Sequence, residues 1–174
     1  MIRFRYKLLN WMCLAGLLYF LCGIQTSFWY QFTSGAPAPQ LWLIVFVYLT
    51  LYRNYTSAMI GSYLLAATVV HSFSAVPMGM LWMVLFVLVT FSSFVKGRIF
   101  WSSSRNFVIG TAAMSILYHV LFLVLSRVFE TSVSPWQLGT RIAEILFTSL
   151  CALPMFWVLQ SLDRWTLSEV VLHE

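Results

Sequence analysis

Charge is what this sequence has least of. Only 9% of its 174 residues are Asp, Glu, Lys or Arg, and its mean hydropathy is +0.86. A soluble domain carries about 25% charged residues. A water-facing surface cannot be built from so few ionic groups, so most of the solvent has to be lipid. Acidic groups are scarcest, and Asp163 is the single aspartate. That excludes the pair of membrane aspartates an intramembrane aspartic peptidase requires. The chain also lacks an H-E-x-x-H zinc motif, a G-x-S-x-G nucleophile elbow and a phosphate-binding P-loop. Cysteine is sparse: Cys13, Cys22 and Cys151 lie inside apolar runs and form no C-x-x-C pair. They read as small apolar filler, not as a disulfide or metal framework. No site, catalytic, cofactor-binding or metal, assembles from these residue types.

What is abundant points the same way. Hydrophobic residues make up 61% of the chain, with eight Trp, eight Tyr and fifteen Phe. Aromatic rings settle at membrane interfaces. A spanning helix needs about 20 apolar residues, and six runs qualify or come close: 8–28, 37–52, 57–73, 78–95, 107–126 and 142–162. The expected fold is an all-α polytopic transmembrane helical bundle of six spans, forming one domain over residues 1–174. The second and third runs are the shortest. Pro37 and Pro39 suit the start of the second, since proline fits a first helical turn. Arg53 to Thr56 makes a polar turn, Ser74 to Pro77 another, and Glu130 to Thr140 the longest loop, with Trp136 as an interfacial anchor. No A-x-A-like cleavage site closes the first run, so it is expected to remain as a span.

The net charge of +5 raises the question of nucleic acid, but the basic residues flank apolar runs and read as topology signals. With the N-terminus inside, Arg3, Arg5, Lys7, Arg53, Lys96, Arg98, Arg105 and Arg164 face the cytoplasm, and only Arg127 and Arg141 face outward. This positive-inside bias predicts both chain ends in the cytoplasm. The Asn54-Tyr55-Thr56 glycosylation sequon then falls inside, as a chance match.

Ionisable groups within a membrane are the first functional candidates. His119 lies midway along the fifth run, His71 ends the third, and Glu144 sits one turn into the sixth near Arg141. His119 is expected to join helices through a hydrogen bond. Arg127 with Glu130 and Arg141 with Glu144, each at i,i+3 spacing, are expected to form interfacial ion pairs between the fifth and sixth spans, or a partner-binding patch. Small residues at helical spacing, Ser57 and Gly61, Thr148 and Ala152, and the cluster Gly110 to Ala113, let backbones approach closely. Pro154 predicts a kink. Met78, Met80 and Met83, with Trp82, read as adaptable core filler.

The order of features resembles the rod shape-determining MreD family. A proline-containing start to the second span, Pro39-Gln40-Leu41, precedes the Arg53 turn, the Gly61-containing third span, and then His71 and Gly79. His71 stands where that family usually carries Asp. The resemblance implies a multi-pass subunit of the bacterial inner (plasma) membrane that maintains rod shape by scaffolding lateral peptidoglycan synthesis. It implies an MreC-like partner, the actin-like MreB filament, a RodA-like glycosyltransferase and a class B penicillin-binding protein, besides membrane lipid. It implies neither a cofactor nor nucleic acid. That fold is similar to the substrate-binding subunits of energy-coupling-factor vitamin transporters. Such a subunit needs an outward cavity lined by polar groups such as His71, His119 and Glu144.

Overall fold

The computed structural model describes residues 2–33, 36–52, 56–96, 103–129 and 137–171. Every regular element among them is helical. They are α1 (Ile2–Gly23), a π-helical turn (Ile24–Phe28), α2 (Trp29–Thr33), α3 (Leu41–Tyr52), α4 (Thr56–Phe73), α5 (Met78–Lys96), α6 (Ser104–Phe129) and α7 (Leu138–Val171). Four stretches are long and apolar enough to cross a membrane: Leu8–Thr33, Met78–Lys96, Ser104–Phe129 and Leu138–Thr166. The chain therefore has the build of a helical membrane protein.

The expected boundaries shift for physical reasons. The first run does not stop at residue 28. It passes through the π turn, where Trp29 donates its backbone N–H to the Ile24 carbonyl, and continues as α2. Thr26 Oγ returns a hydrogen bond to the Cys22 carbonyl at 2.9 Å and helps close that wider turn. The second run begins its helix at Leu41, four residues after Pro37. Pro37 and Pro39 lack N–H groups, and each pushes its preceding residue out of the helical region. Helices α6 and α7 extend at both ends beyond the apolar runs that predicted them, and α7 continues unbroken on both sides of Pro154.

Helix α3 is the centre of the molecule. Every residue from Trp42 to Leu51 is buried. At 1.5 Å per residue its 12 residues reach only about 18 Å, short of the ~30 Å of hydrocarbon. It survives because its surroundings are protein: α1, α4, α5, α6 and α7 all pack on it. This explains why its sequence is apolar all round with no polar stripe. The neighbours show sided patterns instead. In α5, Met80, Val84 and Leu88 recur at four-residue spacing and are buried, together with Leu81 and Leu85. Met78 and Met83 point away and are about half exposed, so of the three methionines expected as core filler only Met80 fills the core.

The small residues divide in the same way. A Cβ on Gly61 would come within 2.7 Å of the Trp11 indole, so Gly61 sets the approach of α4 to α1. Ala152 and Thr148 are fully buried on α7. In the Gly110 to Ala113 cluster, Gly110 and Thr111 face inward whereas Ala113 is exposed.

Candidate functional site

Polar side chains collect at the two ends of α3. At its start, the chain leaves the proline segment without helical hydrogen bonds, and the first N–H groups of α3 need partners. The Gln40 N–H donates to Thr148 Oγ at 2.9 Å, and Thr148 in turn donates to the Glu144 carbonyl at 2.6 Å. One turn of α7 thereby caps α3. The Gln40 side chain continues the cluster, its Nε2 lying 3.3 Å from His119 Nε2 of α6. His119 Nε2 is also 3.4 Å from Glu144 Oε2. Glu144 meets Arg141 Nη1 at 3.4 Å. Burial is graded outward, with side-chain exposure rising from 8% at His119 to 17% at Glu144 and 42% at Arg141. Arg141 also lies over the Phe122 ring, 5.7 Å from its centroid, which ties the rim of α7 to α6.

This arrangement limits its own chemistry. His119 Nε2 carries one hydrogen or one lone pair, so it serves either the Glu144 carboxylate as donor or the Gln40 amide as acceptor. His119 Nδ1 is buried without a hydrogen-bond partner among the described residues. An unpaired acceptor there is cheaper than an unpaired N–H, which favours the proton on Nε2 and the bond to Glu144. The group is a three-helix joint with one imidazole at its centre.

A second cluster closes the other end of α3. Both oxygens of Asp163 accept hydrogen bonds, from Asn10 Nδ2 at 3.0 Å and from the Tyr48 hydroxyl at 2.9 Å. Asn10 also reaches Thr166 Oγ. Helices α1, α3 and α7 meet here. Nearby, the Tyr52 hydroxyl donates to the Ser103 carbonyl at 3.2 Å, and Lys96 Nζ to the Thr50 carbonyl at 3.2 Å. Tyr48, Tyr52, Phe107 and Phe156 form a ring cluster beside them, the two tyrosines stacked with centroids 5.2 Å apart. From Glu144 to Asp163 along α7 is about 28 Å at 1.5 Å per residue, close to one hydrocarbon thickness.

Of the residues the sequence singled out, the structure brings together His119, Arg141 and Glu144. The bond from α6 to α7 runs through His119 and Glu144, while the Arg141 pair stays within α7. Arg127 is exposed near the end of α6. Its expected partner Glu130 lies outside the described residues, as do Arg53, the Asn54-Tyr55 part of the sequon, and Trp136. His71 sits apart from the cluster, its Nδ1 buried without a partner among the described residues. A Cβ on Gly79 would meet nothing within 4 Å, so no close approach requires glycine there. Neither Gln40 as a joint nor Asp163 as a tie between helices stands out in the sequence. Their signals were faint: an amide beside two prolines, and one acid 19 residues beyond Glu144.

A polar cavity of about 280 Å³ opens beside the first cluster, between the π turn, the start of α3 and the end of α4. Gln25, Thr26, Gln40, Trp42, Ser74 and Tyr118 line it, and the histidines and Glu144 do not. The three cysteines are free thiols. No three metal-ligating side chains converge among the described residues.

No protein-family model matches this chain, and no curated protein or solved structure matches it.

Proposed function

We propose that the chain is a non-catalytic scaffold subunit of the MreD type, in the bacterial inner membrane, serving lateral peptidoglycan synthesis. One observation carries the reading. Three of the ionisable groups a membrane enzyme or proton pathway would use, His119, Glu144 and Asp163, are engaged in holding helices together. His119 and Glu144 join α6 to α7, Thr148 one turn on ties the segment entering α3 to α7, and Asp163 joins α1, α3 and α7. Buried polar groups used in this way stiffen a bundle. The outward faces of α6 and α7 are ranks of bare apolar side chains, among them Ile116, Val120 and Val124 on α6 and Leu146, Leu150 and Trp157 on α7. Such faces suit lateral packing against the spans of an MreC-like partner, a RodA-like glycosyltransferase and a class B penicillin-binding protein, with MreB beneath the membrane.

In this reading all six apolar helices count as spans, with α3 and α4 as short central ones, and both chain ends lie in the cytoplasm. Depletion of the protein is expected to turn rod-shaped cells into spheres, and an MreC-like partner is expected to co-purify in detergent. Persistence of rod shape after complete depletion would refute the role.

A second reading starts from the polar cavity, lined by Gln25, Gln40 and Ser74 in place of the expected histidines and Glu144: a substrate-binding subunit of an energy-coupling-factor vitamin transporter. It predicts tight binding of a small vitamin by the purified protein. A vitamin panel without binding, measured by isothermal titration, removes it.

A further inference from the structure

Two amide groups beside the polar cavity have hydrogen bonds left to make. Gln25 and Gln40 both line it, and the side-chain oxygen of each is buried without a hydrogen-bond partner among the described residues. Gln40 as a whole is only 6% exposed. An amide oxygen left unpaired inside a fold costs free energy, so two of them beside one cavity call for a partner there. The last torsion of a glutamine is soft, and a turn about it brings either end of the amide toward the cavity. Whichever way the Gln40 amide is turned, one end meets His119 and the other is left over. Gln25 belongs to the π turn, and π turns inside α-helices occur frequently at functional sites.

The remaining walls decide what kind of partner fits. No Asp, Glu, Lys, Arg or His lines the cavity, so an ion there would lack a counter-charge in a poorly solvated site. Trp42, Phe73 and Tyr118 supply aromatic surface, with Trp42 and Tyr118 edge to face and their centroids 5.3 Å apart. Water would satisfy the amides but would leave this surface wet, whereas a flat apolar body covers it. The volume of about 280 Å³ lies near the lower bound of about 300 Å³ for ligand pockets, which restricts the occupant to a small molecule. Thr26 and Ala75 are exposed and mark the mouth.

We propose that this cavity binds a small, neutral, flat molecule that carries a carboxamide. A carboxamide donates and accepts at once, so it pairs with a glutamine amide in either orientation. An ester of the same shape lacks the donors, and a carboxylate or an ammonium group brings a charge that nothing in the walls balances. The proposal names a ligand class for the cavity from which the transporter reading starts, and it rests on that cavity and not on transport. Amide binding without vitamin binding keeps the site and removes only the transporter. A role in wall synthesis is tested separately, by cell shape.

Fluorine NMR titration of the full-length protein in detergent tests the proposal, with 4-fluorobenzamide as the probe. Methyl 4-fluorobenzoate, 4-fluorobenzoate and 4-fluorobenzylammonium are the matched controls. The amide is expected to bind saturably at one site, and each control more weakly. Q25L keeps the bulk and removes one amide, and is expected to weaken binding about fivefold, as loss of one hydrogen bond implies. A75W closes the mouth from an exposed position and is expected to abolish saturable binding, which separates the cavity from uptake into detergent. Circular dichroism melting of each variant establishes that it is folded. Ester bound as tightly as amide overturns the proposal, because the amides would then not be read. Amide binding that both Q25L and A75W leave unchanged lies elsewhere and overturns it too. Absence of saturable amide binding leaves the cavity to water and overturns it as well.

Discussion

Gly61 shows how much one hydrogen atom can decide. With a Cβ only 2.7 Å from the Trp11 ring, an alanine there forces the indole, or the two helices, to shift. Overpacking of this kind costs about 1–3 kcal/mol. G61A is expected to melt correspondingly earlier in detergent, and W11L/G61A to recover most of that loss. If the two substitutions simply add, the contact between them is not what requires glycine. Asp163 and Asn10 form the matching polar case. A double-mutant cycle of N10A and D163A is expected to show a coupling of about 0.6–1.7 kcal/mol, the range of interhelical hydrogen bonds in membranes. Gly61 was legible because small residues at four-residue spacing advertise close packing. Asn10 was not, since nothing near Leu8 and Leu9 says which helix, 153 residues away, will meet it.

Among the elements, α3 has the clearest dependence on its neighbours. It is too short to cross a bilayer alone, and the N–H of Gln40, the residue before its first turn, relies on Thr148 for a hydrogen-bond acceptor. T148V keeps the shape and removes that acceptor. It is expected to cost about 1 kcal/mol, as loss of a helix cap does, and to speed amide exchange at Gln40 while the far end near Tyr48 stays protected. Uniform exchange along α3 would show that the cap plays no part. The run from 37 to 52 was readable as apolar and helical, but its true start was not. The prolines that suggest a helix start also hold residues before Leu41 extended, and the fit of α7 against Gln40 decides where the ladder begins.

For the whole molecule, the hydrogen bonds place the described parts of the chain next to most of the basic residues at one end: Asn10 with Asp163, Tyr52 with Ser103, Lys96 with Thr50. In the proposed reading, the positive-inside rule turns that end toward the cytoplasm. Fusions of a cytoplasmic fluorescent reporter are expected to be active at both chain ends. A periplasmic phosphatase reporter inserted at residue 36 is expected to be active. Opposite results at the two ends would mean an odd number of crossings and would remove the six-span reading.

Composition alone determined the solvent, because 9% charge cannot cover a water-facing surface. Periodicity and run length determined that the elements are helices and roughly where they lie. Both are local properties, and local sequence carries them. Which polar groups meet was decided only by tertiary packing. His119 and Glu144 come from two helices and Gln40 from the segment leading into a third, while Asn10, Tyr48 and Asp163 come from three helices. In an apolar medium no single helix has a preferred partner until side chains interlock. The same interlocking hides a 12-residue helix inside the bundle.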